Sequence, residues 1–224
     1  NQIEFHPLHR KQGERGKYTF AQEIAAFDIE TSRVPDLEQS FMYVWQFAID
    51  DCTIIGRNYE QLKQFLDKLA NCLHITKDRQ CICWIHNASY EFSFIKNWLE
   101  WDINPKTGKP KIFAISNTKV LSFEYKGIKF CDSLAITNRK LEDVAKDYHI
   151  SINKLSGELN YNLNVSRETP LKLCQLAYCI NDVQILQKWF HKYIVSEFLR
   201  KGYKIPLTST GIVRNDMKRR FKKL

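Results

Sequence analysis

The chain has 224 residues, 44% of them hydrophobic and 13% aromatic, which is enough to bury the core of one substantial domain and excludes a disordered chain. Its formal net charge is +9, yet nine basic residues against Asp216 alone fall in positions 200–224, so the body is not a basic shell and the charge sits in a tail. No apolar run reaches the length of a membrane span, no secretory apolar region opens the chain, and the seven cysteines include no C-x-x-C pair or zinc spacing.

In chain order, residues 1–20 are polar and charged and read as an N-terminal arm. Residues 23–29 form a first strand and 41–50 a second. Leu62, Phe65, Leu66, Leu69 and Leu73 recur at helical spacing over 59–73. A short apolar strand at 81–85 precedes a helix over 90–101 that turns Phe94, Ile95, Trp98 and Leu99 inward. Strands follow at 112–116, 120–125 and 128–132, with a hairpin at Lys126-Gly127. Asn138 is expected to cap a helix carrying Leu141, Val144, Ala145 and Tyr148. A loop spans 149–169, and Pro170 opens a long helix to about residue 193. Strands first and helices interleaved later predict an α/β domain with a mixed sheet. The cysteines are expected to be reduced and mostly buried, in a cytoplasmic setting. The basic tail reads as the solvated start of a further domain in preference to a phosphate contact.

The chemistry begins at Asp28-Ile29-Glu30, at the end of an apolar run. Side chains alternate along a strand, so both carboxylates point the same way. Like charges side by side are costly unless a cation neutralises them, and oxygen-only donors suit Mg²⁺ or Mn²⁺. A solvated acidic face has the same signature, so the pair alone decides little. Two further segments join it: His86-Asn87-Ala88-Ser89-Tyr90-Glu91, and Tyr178-Cys179-Ile180-Asn181-Asp182, whose Tyr178 and Asp182 share one helix face.

The ordered trio D-x-E, N-x-x-Y-E and Y-x-x-x-D resembles the three exonuclease motifs of the DEDDy family. The likeness is greatest to the 3′→5′ proofreading domain of protein-primed family B DNA polymerases of bacteriophages and linear plasmids, and it runs from about 26 to about 214. The resemblance implies an RNase H-like mixed sheet flanked by helices. It implies two Mg²⁺ or Mn²⁺ ions, Asp28 bridging both, Glu30 and Asp182 completing the first site and Glu91 serving the second. The family usually has Asp where Glu91 stands; that group reaches its ion largely through water, which the longer arm accommodates. Tyr178 would orient the attacking water, and Lys154 would contact the scissile phosphate. Thr31, His86, Asn87, Tyr90, Phe94, Ser133, Leu134 and Tyr161 match positions that hold the 3′ end.

Residues 207–214 resemble the connection toward the polymerase in such enzymes, while polymerase palm motifs are absent. The chain opens on Asn1 and not Met, as a fragment would. The implied organisation is an arm at 1–20, the exonuclease domain at 21–200 and a basic connection at 201–224. The implied partners are a single-stranded DNA 3′ end, a polymerase domain of the same parent chain and a terminal protein primer, with no membrane, in the cytoplasm of a bacterial host. Two other readings stay open: a stand-alone nuclease of this fold acting on DNA or RNA, and a catalytically silent nucleic-acid-binding module.

Overall fold

The computed structural model describes residues 3, 5–8, 18–21, 24–34, 39–150, 165–195, 198 and 204–221. Its frame is a mixed sheet. Strands β1 (Phe5–Leu8) and β2 (Tyr18–Ala21) pair antiparallel at one margin. The main path runs β5 (Cys52–Gly56), β4 (Gln39–Ile49), β3 (Ala25–Val34), β6 (Arg79–Ile85), β9 (Ile128–Asp132), β8 (Lys119–Tyr125) and β7 (Ile112–Ser116). Strands β3, β6 and β9 are mutually parallel at the centre, β2 also pairs parallel with β6, and the remaining pairs run antiparallel.

Period-two alternation divides the sheet between two layers. Ala25, Phe27 and Ile29 of β3 face a cluster built with α1 (Tyr59–Cys72) and α2 (Ala88–Ile95). Ile24 and Ala26 face the opposite cluster, built with α4 (Leu141–Asp147) and α5 (Leu173–Trp189). Asp28 and Glu30 continue that second face. Between β9 and α4 lies the short α3 (Leu134–Thr137), and α6 (Ser209–Phe221) closes the described chain.

Several expectations hold in substance. The strands at 112–116 and 128–132 appear with those bounds, and α1 buries Leu62, Leu66 and Ala70 under an Asn58 cap whose side chain accepts the Gln61 N–H at 2.8 Å. The hairpin at Lys126-Gly127 forms because both residues take left-handed backbone, φ 48° and 78°. Asp102 accepts both of their N–H groups at 2.9 Å.

Others are corrected. Residues expected as a loose arm contain β1 and β2: the Arg79 guanidinium lies 3.4 Å from the centre of the Phe5 ring, and the Thr19 N–H bonds Asp78 O at 2.8 Å. Strand β5 follows a tight turn in which Asp50 adopts φ 54°, which the sequence pass did not assign. Helix α2 starts earlier and ends at Ile95, where Trp98 bonds back to Ile95 O at 3.0 Å in a turn. Trp98 is 48% exposed and not inward, with its ring stacked on Tyr59 at 4.3 Å. Asn138 does not cap α4. It ends α3 in the left-handed conformation at φ 51°, and its amide donates to Ser209 Oγ at 3.0 Å. Pro170 does not open α5, which begins at Leu173 once Gln175 Oε1 accepts the Lys172 N–H at 2.9 Å. Much of the basic tail is α6, whose Ile212 packs against the second core cluster. Cys52, Cys72 and Cys174 are exposed; the other four cysteines are buried, and all seven are free thiols. No helix of the described residues is long and apolar enough to cross a membrane.

One polar junction ties α1 to the β8–β9 hairpin. Asp67 meets Lys63 at 2.9 Å, Lys126 at 2.8 Å and the Tyr125 hydroxyl at 2.6 Å. Burial by itself would raise its pKa, but these three partners outweigh it and hold the Asp67 pKa at about 2. A carboxylate depressed in the folded state stabilises fully above its unfolded value and loses that contribution as pH falls toward its folded value. Asp67→Asn is therefore expected to cost about 1 kcal/mol at pH 7. The gap to the unsubstituted chain should close between pH 4 and pH 2, near the folded value of about 2, as read by urea unfolding across that range.

Candidate functional site

The site forms at the carboxyl ends of the three central parallel strands, where open α/β sheets leave a crevice. On β3, Asp28 and Glu30 both face α5. Asp182 comes from the buried side of that helix, which also carries Tyr178, Ile185 and Trp189. One oxygen from each of Asp28, Glu30 and Asp182 falls within a set whose members lie within 4.8 Å of one another. The register of α5 is held from below. Gln187 donates to Ile24 O at 2.8 Å and Asp50 O at 3.2 Å, and Trp84 of β6 stacks on Phe190 with ring centres 4.0 Å apart. Phe190 opens a π-helical continuation of α5, Phe190–Val195.

A fourth carboxylate arrives from the other layer. Glu91 lies in the first turn of α2, only 3% exposed, and hydrogen-bonds Asp28. Burial first, and then the charge of Asp28, pushes Glu91 well above the usual carboxylate range. That direction favours the protonated form of Glu91 beside Asp28 when no cation is present. Glu91 Oε2 is buried and has no hydrogen-bond partner. An all-oxygen donor set, crowded charge and an unsatisfied buried carboxylate oxygen together fit a hard divalent cation such as Mg²⁺ or Mn²⁺.

Two further polar residues, Gln46 and Asp132, hold the carboxylates in place. Gln46, opposite Asp28 on β4, donates to Asp28 Oδ2 at 2.7 Å and reaches Glu30 Oε1 at 3.4 Å. Its signal was a lone amide within the apolar stretch Val44-Trp45-Gln46-Phe47-Ala48. Asp132 is a second such residue. Its carboxylate accepts four backbone N–H groups: Asn87 at 3.0 Å, Ala88 at 3.2 Å, Leu134 at 3.1 Å and Ala135 at 3.2 Å. It thereby fastens the starts of α2 and α3 to the end of β9. Burial still raises its pKa despite those bonds. Asn87 sits in the left-handed region at φ 79°, which lets the chain turn sharply from β6 into α2.

The other sequence candidates gather around this centre. Tyr178 is buried one helical turn before Asp182. The Thr31 hydroxyl pairs with the Tyr90 hydroxyl at 2.6 Å, and the Tyr90 and Phe94 rings lie 5.1 Å apart, with Phe94 half-buried against the core. His86 Nδ1 and Ser133 Oγ are 2.9 Å apart. A groove of about 400 Å³ is lined by Asp28, Asp182, His86, Asn87, Leu134 and Lys140, among others. Lys154 and Tyr161 lie outside the described residues.

No family model and no curated protein matches the sequence. Solved structures do. Phi29 DNA polymerase complexed with single-stranded DNA superimposes with a TM-score of 0.59 at 19% identity, over 83% of this chain and 33% of that one. The same polymerase with primer-template DNA gives 0.56 at 16% over 83% and 32%, and its orthorhombic crystal form gives 0.55 at 20% over 74% and 30%. The chain thus spans about a third of the length of the polymerase chains it matches. At that identity the likeness establishes the fold, which is the RNase H-like α/β fold that the sequence motifs implied.

A cation at the carboxylates is expected to raise the melting temperature. Saturation at about a hundred times the dissociation constant corresponds to about 2.7 kcal/mol. Because the cation must displace the proton that Glu91 holds, the rise should shrink as pH falls from 8 to 6. Asp182→Asn should melt higher than the unsubstituted chain in chelator, since a repulsion is removed, and should respond little to Mn²⁺. Calorimetry with and without Mn²⁺ at the two pH values checks both; equal Mn²⁺ responses in the two chains would dissolve the metal assignment.

Proposed function

We propose that this chain is a metal-dependent 3′→5′ exonuclease domain that trims single-stranded DNA ends and proofreads for a protein-primed phage DNA polymerase. One observation carries the reading. Four carboxylates, Asp28, Glu30, Glu91 and Asp182, converge from β3, α2 and α5, with Tyr178 one turn from Asp182. Structural neighbours complexed with single-stranded or primer-template DNA support DNA as the substrate class. In this reading residues 201–224 lead toward a polymerase domain, and a terminal protein primes the parent enzyme.

Hydrolysis joins a water oxygen to the terminal phosphorus, breaks the bond to the 3′-oxygen and hands that oxygen a proton. Divalent ions held by Asp28, Glu30, Asp182 and Glu91 would activate the water and stabilise the leaving oxygen. The residues of the chain do the rest. Tyr178 is a poor base, since a phenol titrates near 10, so its part is to orient the water through its hydroxyl. Thr31 fixes the Tyr90 hydroxyl, leaving the half-exposed ring as a stacking surface for a terminal base. His86, locked to Ser133, and the exposed Asn87 offer polar contacts to the strand. Lys154 would meet the scissile phosphate.

Digestion of 3′-labelled and 5′-labelled single-stranded oligonucleotides with Mn²⁺ tests the reading. The chain should release mononucleotides from the 3′ end and none in chelator. Asp28→Ala and Asp182→Ala should fall below about 10⁻³ of the normal rate, while Tyr178→Phe retains roughly 1–10% because metal ligation survives. Progressive shortening from the 5′ end, or full activity in chelator, would refute it.

A further inference from the structure

The groove beside the carboxylates holds a positive side chain that the motif reading does not use. Asp28, Asp182 and Glu142 make the lining acidic, and Lys140 contributes an ammonium to it. A phosphodiester entering that groove meets like charge on most sides, so a cation on the rim matters for its hold.

Lys140 is well placed to be that cation. It is the residue that leads into α4, with extended backbone at φ −62° and ψ 151°. Its carbonyl accepts the Val144 N–H at 3.0 Å, and the next residue, Leu141, is buried in the second core cluster together with Val144 and Ala145. The lysine therefore stands on a fixed base and not on a free loop. Its charge is also available. The neighbouring Arg139 pairs with Asp147 at 3.1 Å and Lys146 pairs with Glu142, whereas no described carboxylate holds Lys140.

We propose that Lys140 is a positioning residue that binds a backbone phosphate of the single strand next to the scissile one, across the groove from Asp28 and Asp182. This inference rests on the nuclease reading above and adds a substrate contact to it. An exposed ammonium acts here as a point charge on phosphate. It should affect how the strand is held more than the bond-breaking step.

The test compares the unsubstituted chain with Lys140→Gln and Lys140→Arg in steady-state digestion of a 3′-ended oligonucleotide with Mn²⁺ at several salt concentrations. Lys140→Gln should raise KM about fivefold, with kcat within a factor of two, as expected for loss of one charge-assisted contact. The slope of log KM against log salt should flatten by about 0.7, the value for one phosphate of a single strand. Lys140→Arg should restore most of both. An unchanged KM and salt slope in Lys140→Gln would overturn the inference while normal digestion by the unsubstituted chain leaves the nuclease reading standing. A large loss of kcat at constant KM would overturn it too, because the lysine would then act on the reacting phosphate. Absence of digestion by the unsubstituted chain would instead strike the nuclease reading itself.

Discussion

Everything around the site answers one constraint: four carboxylates crowd a space that water barely reaches. Glu30, Glu91 and Asp182 are each 4% exposed or less, and Asp28 alone is partly open to solvent. Repulsion between such groups, together with their lost hydration, would drive the surrounding elements apart unless the rest of the fold restrains them. The chain meets that cost with a neutral amide and a protonated carboxyl. Gln46 offers one N–H donor group to the β3 pair, and the raised pKa of Glu91 beside Asp28 favours its neutral form when no cation is bound. Both devices leave oxygen lone pairs directed at a common space, which is the condition a divalent ion satisfies.

The restraint comes from opposite sides of the sheet. Glu91 belongs to α2, whose Ala88 and Ile95 join the cluster around Phe27, Phe123 and Phe130. Asp182 belongs to α5, whose Val183, Leu186 and Trp189 join the cluster around Trp84 and Phe190. Neither layer alone could assemble the site. The sheet joins them through the strand ends, and Asp132 with its four backbone donors is the polar rivet there. A carboxylate used in this way is structural, although it lies near the others. The distinction is visible in its partners, which are backbone N–H groups on two helix starts.

The same arrangement gives the groove its asymmetry. Its lining carries both signs of charge, Asp28 and Asp182 together with Lys140, and the polar His86 and Asn87 of the turn out of β6. The aromatic side chains split in parallel fashion. Phe27, Phe123 and Phe130 are buried in one core and Trp84 and Phe190 in the other, while Tyr90 keeps 43% of its surface exposed beside the carboxylates. An anionic strand with flat bases needs both kinds of surface, a cationic rim and an open ring.

The sequence by itself determined a good deal. Alternation along 25–30 put Asp28 and Glu30 on one face, helical spacing put Tyr178 and Asp182 on one stripe, and the order of the three motifs pointed to the fold. Local rules were enough where the governing interactions are local: the Lys126-Gly127 turn and the apolar stripe of α1 both lie within a few residues of their partners. Tertiary structure alone decided the rest. Asn138 has the chemistry of an N-cap, yet it ends α3 in the left-handed conformation, with its amide donating to Ser209 Oγ, 71 residues away in the chain. Gln46 is 18 residues from Asp28 and becomes its donor only through antiparallel register. Lys140 shares a groove with Asp28 and Asp182 only because α4 packs beside α5. Those contacts join residues far apart in the chain, and no periodicity or spacing rule acts over such separations; only the packing of two layers on one sheet brings them together.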